Sequence, residues 1–242
     1  MLPARLAVFA VLSMSFACTT TSTPAAQQQP PEGVREPGPS AVPAALAVET
    51  GTPLSDDEAV RQRFAAYCEA VLARDGKKAL GLVDRRTIEL YGEYLGLART
   101  VDRAGLLRLD WMGKMVVLRI RHEFDAPAIA AMTGESLFVA GVEHGWISDA
   151  SVRGMQVAQV TVNGASAGIS LVQAPSVPVL HFIKEPPGWQ LSLWKTFPLA
   201  EPLMQKMFVE SGKQDPLEWI VSILEALSPR QFDRARLDGP AR

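Results

Sequence analysis

Cysteine is nearly absent from this chain: there are two in 242 residues, Cys18 and Cys68. Two thiols cannot build the disulfide framework of a small stapled domain, and no pair of Cys or His positions has the short spacing of a zinc site. An excess of one charge is missing too. Lysine and arginine total 24 against 26 aspartates and glutamates, a formal net charge of −2, so nothing in the electrostatics asks for nucleic acid as a partner. Nor is there a membrane-spanning run: the charge-free stretch Leu6 to Ala17 is shorter than the roughly 20 residues such a helix needs. No motif has the spacing of a catalytic signature, and none calls for a cofactor or a metal.

What is present starts with an address. Arg5 supplies a short positive start, Leu6 to Ala17 is apolar, and Ser15-Phe16-Ala17 puts small residues just before Cys18. That is the layout of a secretory signal over residues 1–17. With the cysteine first after the cut, it resembles a bacterial lipoprotein signal, which implies a lipid on Cys18 and attachment to a membrane. The family usually has Leu three places before the Cys, where this chain has Ser15; Ser15 and Ala17 also suit an ordinary signal peptidase, and the alternative is a secreted protein. Thr19 after the cysteine, rather than Asp, resembles lipoproteins sent to the outer membrane, facing the periplasm or the surface.

Residues 18–54 read as a tether. Thr19 to Pro24, Gln27 to Pro31 and the Pro/Ala repeats after them bury too little apolar surface to fold. At about 3.1 Å per residue, a partly polyproline chain of this length holds a domain up to roughly 100 Å from its anchor. Behind it about 190 residues remain, enough for one domain with additions or two small ones. With 48% hydrophobic and 21% charged residues, they can build a core.

The folded part begins at Ser55, where Ser55-Asp56-Asp57-Glu58 has the form of a reciprocal capping box. Val60, Phe64, Cys68, Val71 and Leu72 follow at helical spacing, with Gly76 as the stop; Cys68 on that face reads as a small buried hydrophobe. Further helices are expected over 77–83, 85–98, 106–124 (capped by Asp110) and 129–144, the last broken near Thr133-Gly134 and closed by Gly145. From Ser151 the period becomes two. Strands are expected over 155–162 and 165–172 around Asn163-Gly164, then over 177–185 and 189–197 around Pro186-Pro187-Gly188. Helices over 200–211 and from Asp215-Pro216 onward close the fold, with Trp219, Ile220, Ile223, Leu224 and Leu227 buried. Residues 229–242 read as a loose tail. Helices first and antiparallel strands second make an α+β domain, with helices packed on one face of a sheet.

The order of helices, the Tyr-bearing third helix, and the final pair Phe182-Ile183-Lys184-Glu185 and Gly188-Trp189-Gln190-Leu191-Ser192-Leu193 resemble the nuclear-transport-factor-2-like (cystatin-like cone) superfamily. The resemblance covers about residues 55–200. It implies a curved antiparallel sheet with helices across it, and the helical insert at about 106–145 departs from the simplest members by capping or filling the cone mouth. The superfamily often dimerises through its sheet.

His181 is the leading candidate for chemistry. On a strand over 177–185 it shares a face with Val179 and Ile183, so an imidazole sits among apolar neighbours, as a general base, a ligand hydrogen-bonder or a structural residue. Tyr91 and Tyr94 are candidates for donors, because superfamily members resembling ketosteroid isomerase use a Tyr and carboxylic acids in the cone; core packing is their default. Arg119, Arg121, His122 and Glu123 read as a solvated helix end or an anion site, and His144 as a helix-end residue. On a strand over 189–197, Trp189 and Trp194 face opposite ways, so one of them lies under a helix or at a contact surface; the last helix, with Trp219, is expected to dock on the sheet's second face. The expected function is a non-catalytic, tethered envelope lipoprotein that binds a small apolar ligand or a protein partner. The alternatives are a small isomerase or hydratase with His181 as base and Tyr91 or Tyr94 as donor, and a structural subunit of an envelope assembly.

Overall fold

Short polar side chains start almost every helix. A computed structural model describes residues 54–147 and 149–239, so the signal (1–17), the tether up to residue 53 and Cys18 lie outside the described residues. Asp75, Asp84, Asp102, Asp110, Asp125 and Asp215 each accept a hydrogen bond from a backbone N–H two or three residues ahead, opening α2 (Gly76–Leu80), α3 (Arg85–Thr100), α4 (Arg103–Arg108), α5 (Trp111–Glu123), α6 (Ala126–Ala131) and α11 (Pro216–Leu227). Each cap satisfies a donor that the first turn leaves without a helical partner. Ser55 opens α1 (Asp56–Leu72) by accepting from the Glu58 amide at 3.2 Å. The expected box is only half made there, because the Glu58 carboxylate accepts from Gln62 instead. The full reciprocal box occurs at Thr133 and Ser136, opening α7 (Gly134–Glu143). The short α8 (Asp149–Arg153) leads into the sheet.

The sheet is a four-stranded antiparallel meander in the order β1-β2-β3-β4: β1 Val157–Asn163, β2 Ser166–Leu171, β3 Leu180–Glu185 and β4 Gly188–Leu191. The first hairpin turns one residue later than expected. Asn163 pairs with Ser166, so Gly164 and Ala165 are the central residues, and Gly164 (φ 58) carries the only positive φ of the two, the requirement of a type II′ turn. The second hairpin pairs Glu185 with Gly188 around a cis Pro186-Pro187 bond. Val160, Ala167, Ile169, Leu180, Phe182, Trp189 and Leu191 form the buried face, and α1 lies against β1 and β4. The protein is therefore mixed α+β, with its helices joined to the sheet in one core.

Several expectations give way to tertiary contacts. The third strand starts at Leu180 rather than 177, and the fourth ends at Leu191, not 197. There Ser192 bonds to Asp84 and the Leu193 amide donates to Thr87 Oγ1, so the chain turns into the short α9 (Leu193–Thr196) and a 3-10 turn at Phe197–Ala200. The expected 106–124 helix is two, α4 and α5, separated by Leu109-Asp110. Gly76 is not the stop of α1. That role falls to Arg74 in the left-handed region (φ 57), whose guanidinium is held by the Ile147 carbonyl and Asp149. Gly76 is needed elsewhere: a Cβ on it would lie 2.6 Å from the Val139 carbonyl, where α2 meets α7.

At the C-terminal end α10 (Glu201–Glu210) reaches back to α5, where Glu201 accepts from the Trp111 and Met112 amides. Trp111, Phe208 and Trp219 then pack at 5.1–5.7 Å between ring centres, Trp219 edge-on to both and Trp111 tilted against Phe208, joining α5, α10 and α11. The last long helix thus docks on α5 and α4, not on the second face of the sheet, and Leu227, expected inside, is 43% exposed. Residues 229–239 are not a loose tail. Phe232 and Leu237 are buried, and α12 (Ala235–Asp238) is tied to α5 by Arg236, which donates to the Arg121 and Phe124 carbonyls.

Candidate functional site

The helix ends of α3 and α7 create the clearest recess. The two helices approach closely at Gly134, where a Cβ would lie 2.5 Å from the Ile88 carbonyl and 2.9 Å from the Gly92 nitrogen. Beside this contact the half-buried Leu80 and Ile88 supply an apolar floor, and the exposed Arg85, Glu89 and Glu135 form the rim. The groove encloses about 690 Å³ and opens widely to solvent. Arg85 and Glu89 pair across 3.4 Å as a solvated i,i+4 contact of little energetic weight. The rim carries two carboxylates and one guanidinium. Chemically this arrangement can seat an apolar side chain next to a cation; its lining has no His, Cys or Tyr to move a proton or attack a carbon. A second, smaller recess of about 310 Å³ lies between the end of α3 and α6, where Arg99 is occupied with the carbonyls of Ile129, Ala130 and Met132.

The residues singled out in the sequence do not converge. His181 is half-buried on β3, but the face it shares with Ile183 is opposite the core face of Leu180 and Phe182. Burial and the nearby Lys195 charge hold its pKa below the usual range. Neither recess borders it. Tyr91 is buried in the core, edge-on to Phe138 at 5.3 Å, and Tyr94 is buried on the same helix; burial pushes both phenols well above the usual range. Trp189 is 3% exposed and donates to Asp56, so it presents no contact surface. Trp194, placed on a helix rather than a strand, is 36% exposed and donates from Nε1 to Asp84 Oδ2 at 2.9 Å. Cys68 is half-buried, and burial raises its thiol to about 11, which keeps it protonated at neutral pH.

The cluster around Arg119 to Glu123 divides in two. Glu123 accepts from Arg119 (2.8 Å), His144 Nδ1 (2.9 Å) and Trp146 Nε1 (2.7 Å), and these bonds hold its carboxyl below the usual range despite burial. Arg121 and His122 are not at a solvated helix end; both are buried. His144 caps α7 as expected. Asp84 is far from this cluster's chemistry, since its carboxylate is taken up by Thr87, Ser192 and Trp194. Among the described residues no group of three or more His, Cys, Asp or Glu side chains gathers as metal ligands, and no helix is long and apolar enough to cross a membrane.

His122 has a consequence for stability. Its ring stacks on Phe232 at 5.6 Å, and Nε2 is buried with no hydrogen-bond partner among the described residues. Arg119, Glu123, Glu225 and Arg230 surround it, and burial dominates, depressing its pKa below 6.5. The unfolded chain then binds the proton at higher pH than the folded one. The His122 contribution to stability is constant above about pH 6.5 and falls as pH drops through that value toward the folded pKa. The carboxylates held low by their partners, Glu123 and Glu225, add their own loss only below about 4.5. His122→Phe, which keeps the stack, is expected to reduce the decline in urea midpoint between about pH 7 and 5, leaving the part due to His181. An unchanged slope in the variant would remove His122 from this account.

Comparison with known protein families, with curated proteins and with solved structures finds no match to this chain. The groove escaped the sequence reading because its residues come from separate helices; Gly92 and Gly134, bare positions inside or opening helical stretches, were the one available signal.

Proposed function

We propose that this chain is a non-catalytic, membrane-tethered envelope protein whose folded domain binds a protein partner in the α3–α7 groove. The observation that carries this reading is the groove itself: an apolar floor of Leu80 and Ile88 under a mixed-charge rim, widely open to solvent. A small apolar ligand is held best in a pocket that covers most of its surface. An open groove suits instead an extended or helical segment that presents one apolar side chain beside a basic one, which Glu89 and Glu135 would pair.

The address rests on the sequence: a signal ending at Ala17, a lipid on Cys18, and a tether that lets the domain reach a partner away from an outer-membrane anchor. We also read residues 55–200 as a helix-enriched relative of the nuclear-transport-factor-2-like cone. In support, α1 to α3 precede an antiparallel meander, and α1 lies across one face of it.

Photocrosslinking amino acids placed at Glu89 and Glu135 in intact cells test the groove. Discrete adducts are expected from both positions, none from the exposed Lys213, and loss of the Glu89 adduct in Glu135→Arg. The same adducts from all three positions would count against the groove. Intact mass of the membrane-extracted protein tests the anchor, with acyl chains on Cys18 expected and an unmodified mature chain the contrary result.

A further inference from the structure

We propose that a second copy of this chain docks on the outer edge of β1, antiparallel and two-fold symmetric, so that the two four-stranded sheets become one continuous sheet. The backbone carries the argument first. β1 ends the strand order, and the ladder between β2 and β3, in which Lys184 N–H donates to the Ala165 carbonyl at 2.8 Å, turns the odd-numbered residues of β2 toward β3. The even-numbered residues of β2 therefore face β1, and the ladder there runs through the pairs 159–170, 161–168 and 163–166. The N–H and C=O groups of Val160 and Val162 point away from the sheet, along its edge. At the opposite edge β4 is already covered: Leu191 donates to the Leu82 carbonyl and accepts from the Asp84 amide.

An edge of this kind pairs with other chains unless charge, proline or a bulge blocks it. One bulge is present, between Val157 and Gln159; it takes Ala158 out of the regular ladder and leaves the segment from Gln159 to Val162 free to pair. The other devices are missing. From Gly154 to Leu180 there is no Asp, Glu, Lys or Arg, in a chain with 21% charged residues, and β1 has no proline. Val162 is 36% exposed on the sheet's core-side face.

The occupant follows from self-complementarity. A two-fold axis at Val160 sets Val160 against its own copy and Gln159 opposite the partner's Thr161. Every facing pair is apolar with apolar or neutral polar with neutral polar, so the identical strand meets no repulsion. This contact uses the sheet edge and is independent of the groove and of the tryptophans.

Sedimentation velocity of the full chain in detergent micelles tests it, with concentration-dependent dimerisation expected. Gln159 and Thr161 are exposed, and their partners within the chain, Ser170 and Gly168, are uncharged, so charge can be introduced here without disturbing the fold. Gln159→Lys with Thr161→Lys places like charges across the two-fold and is expected to weaken the dimer about tenfold. Gln159→Glu with Thr161→Lys places opposite charges at the same positions and is expected to dimerise at least as well as the parent. Circular dichroism and thermal melting check that both variants fold. A parent that stays monomeric, or two variants that shift association equally, would overturn the proposal.

Discussion

Replacing Arg121 by alanine is expected to destabilise the folded chain by about 3–4 kcal/mol, which in a domain of this size lowers the melting temperature on the order of 10 °C. Arg121 is fully buried and has no carboxylate partner; its guanidinium donates to the carbonyls of Ala98 (3.0 Å), Val101 (2.5 Å) and Arg236 (2.8 Å). Ala98 lies in the last turn of α3 and Val101 is its C-cap, so the cation satisfies carbonyls that the helix leaves free, at the negative end of its dipole. Burial and the nearby Arg236 lower its pKa to about 10, which still leaves it protonated at neutral pH. Arg236 answers symmetrically, capping α5 through the Arg121 and Phe124 carbonyls.

Truncating Arg121 orphans three buried acceptors and frees the C-terminal segment from one anchor. Limited proteolysis should therefore cut residues 229–239 sooner in the variant than in the parent. Arg121→Lys is expected to fall between the two, since one ammonium cannot reach all three carbonyls in the geometry of a planar fork. A change in stability below about 1 kcal/mol for Arg121→Ala would show that the carbonyls find water or relax instead.

The second large effect is expected at Asp84. It is 2% exposed and joins three elements: Oδ1 caps α3 at the Thr87 amide (2.9 Å), and Oδ2 accepts from Ser192 Oγ (2.7 Å) and Trp194 Nε1 (2.9 Å). Asp84→Ala loses a helix cap, worth about 1 kcal/mol, and leaves two donors without acceptors at about 1–2 kcal/mol each. The expected total is about 3–5 kcal/mol, read as a lower urea midpoint with a red-shifted Trp194 emission as the ring loosens from α3. Asp84→Asn keeps the cap oxygen but presents its amide to both Ser192 Oγ and Trp194 Nε1; the hydroxyl can turn to accept and the indole cannot, so it should lose roughly half as much. If Asp84→Asn proved as harmful as Asp84→Ala, the cap would not be a separate contribution.

These two residues also show what kind of information the sequence carried. The Asp110 and Asp215 caps, the break at Thr133-Gly134 and the stop at Gly145 were legible, because a helix start or end is decided by side chains within a few residues of it. The hairpins were legible from turn chemistry, displaced by one residue at Gly164 because both two-residue placements have a glycine available for positive φ. The stretch from Trp189 to Phe197 was misread as strand throughout. Its alternation holds to Leu191, and what ends it is Ser192 and Leu193 bonding to Asp84 and Thr87, about a hundred residues away in sequence.

Site candidates fared according to the same rule. His181 was placed on its strand, but which face meets the core depended on the distant segments that bury the side of Leu180 and Phe182. Arg121 and His122 read as a charged helix end until the C-terminal segment folded over them.

Local stretches of this sequence thus determined where helices and strands start, that the two classes are segregated along the chain, and, as an expectation, where the chain is sent. Tertiary structure alone decided which buried charges are satisfied, where the α3–α7 groove opens and which strand edge is left unpaired among the described residues. Capping, periodicity and turn geometry act over a few residues. Burial, groove shape and edge pairing exist only once distant segments are brought together, and their energies depend on partners that no local pattern names.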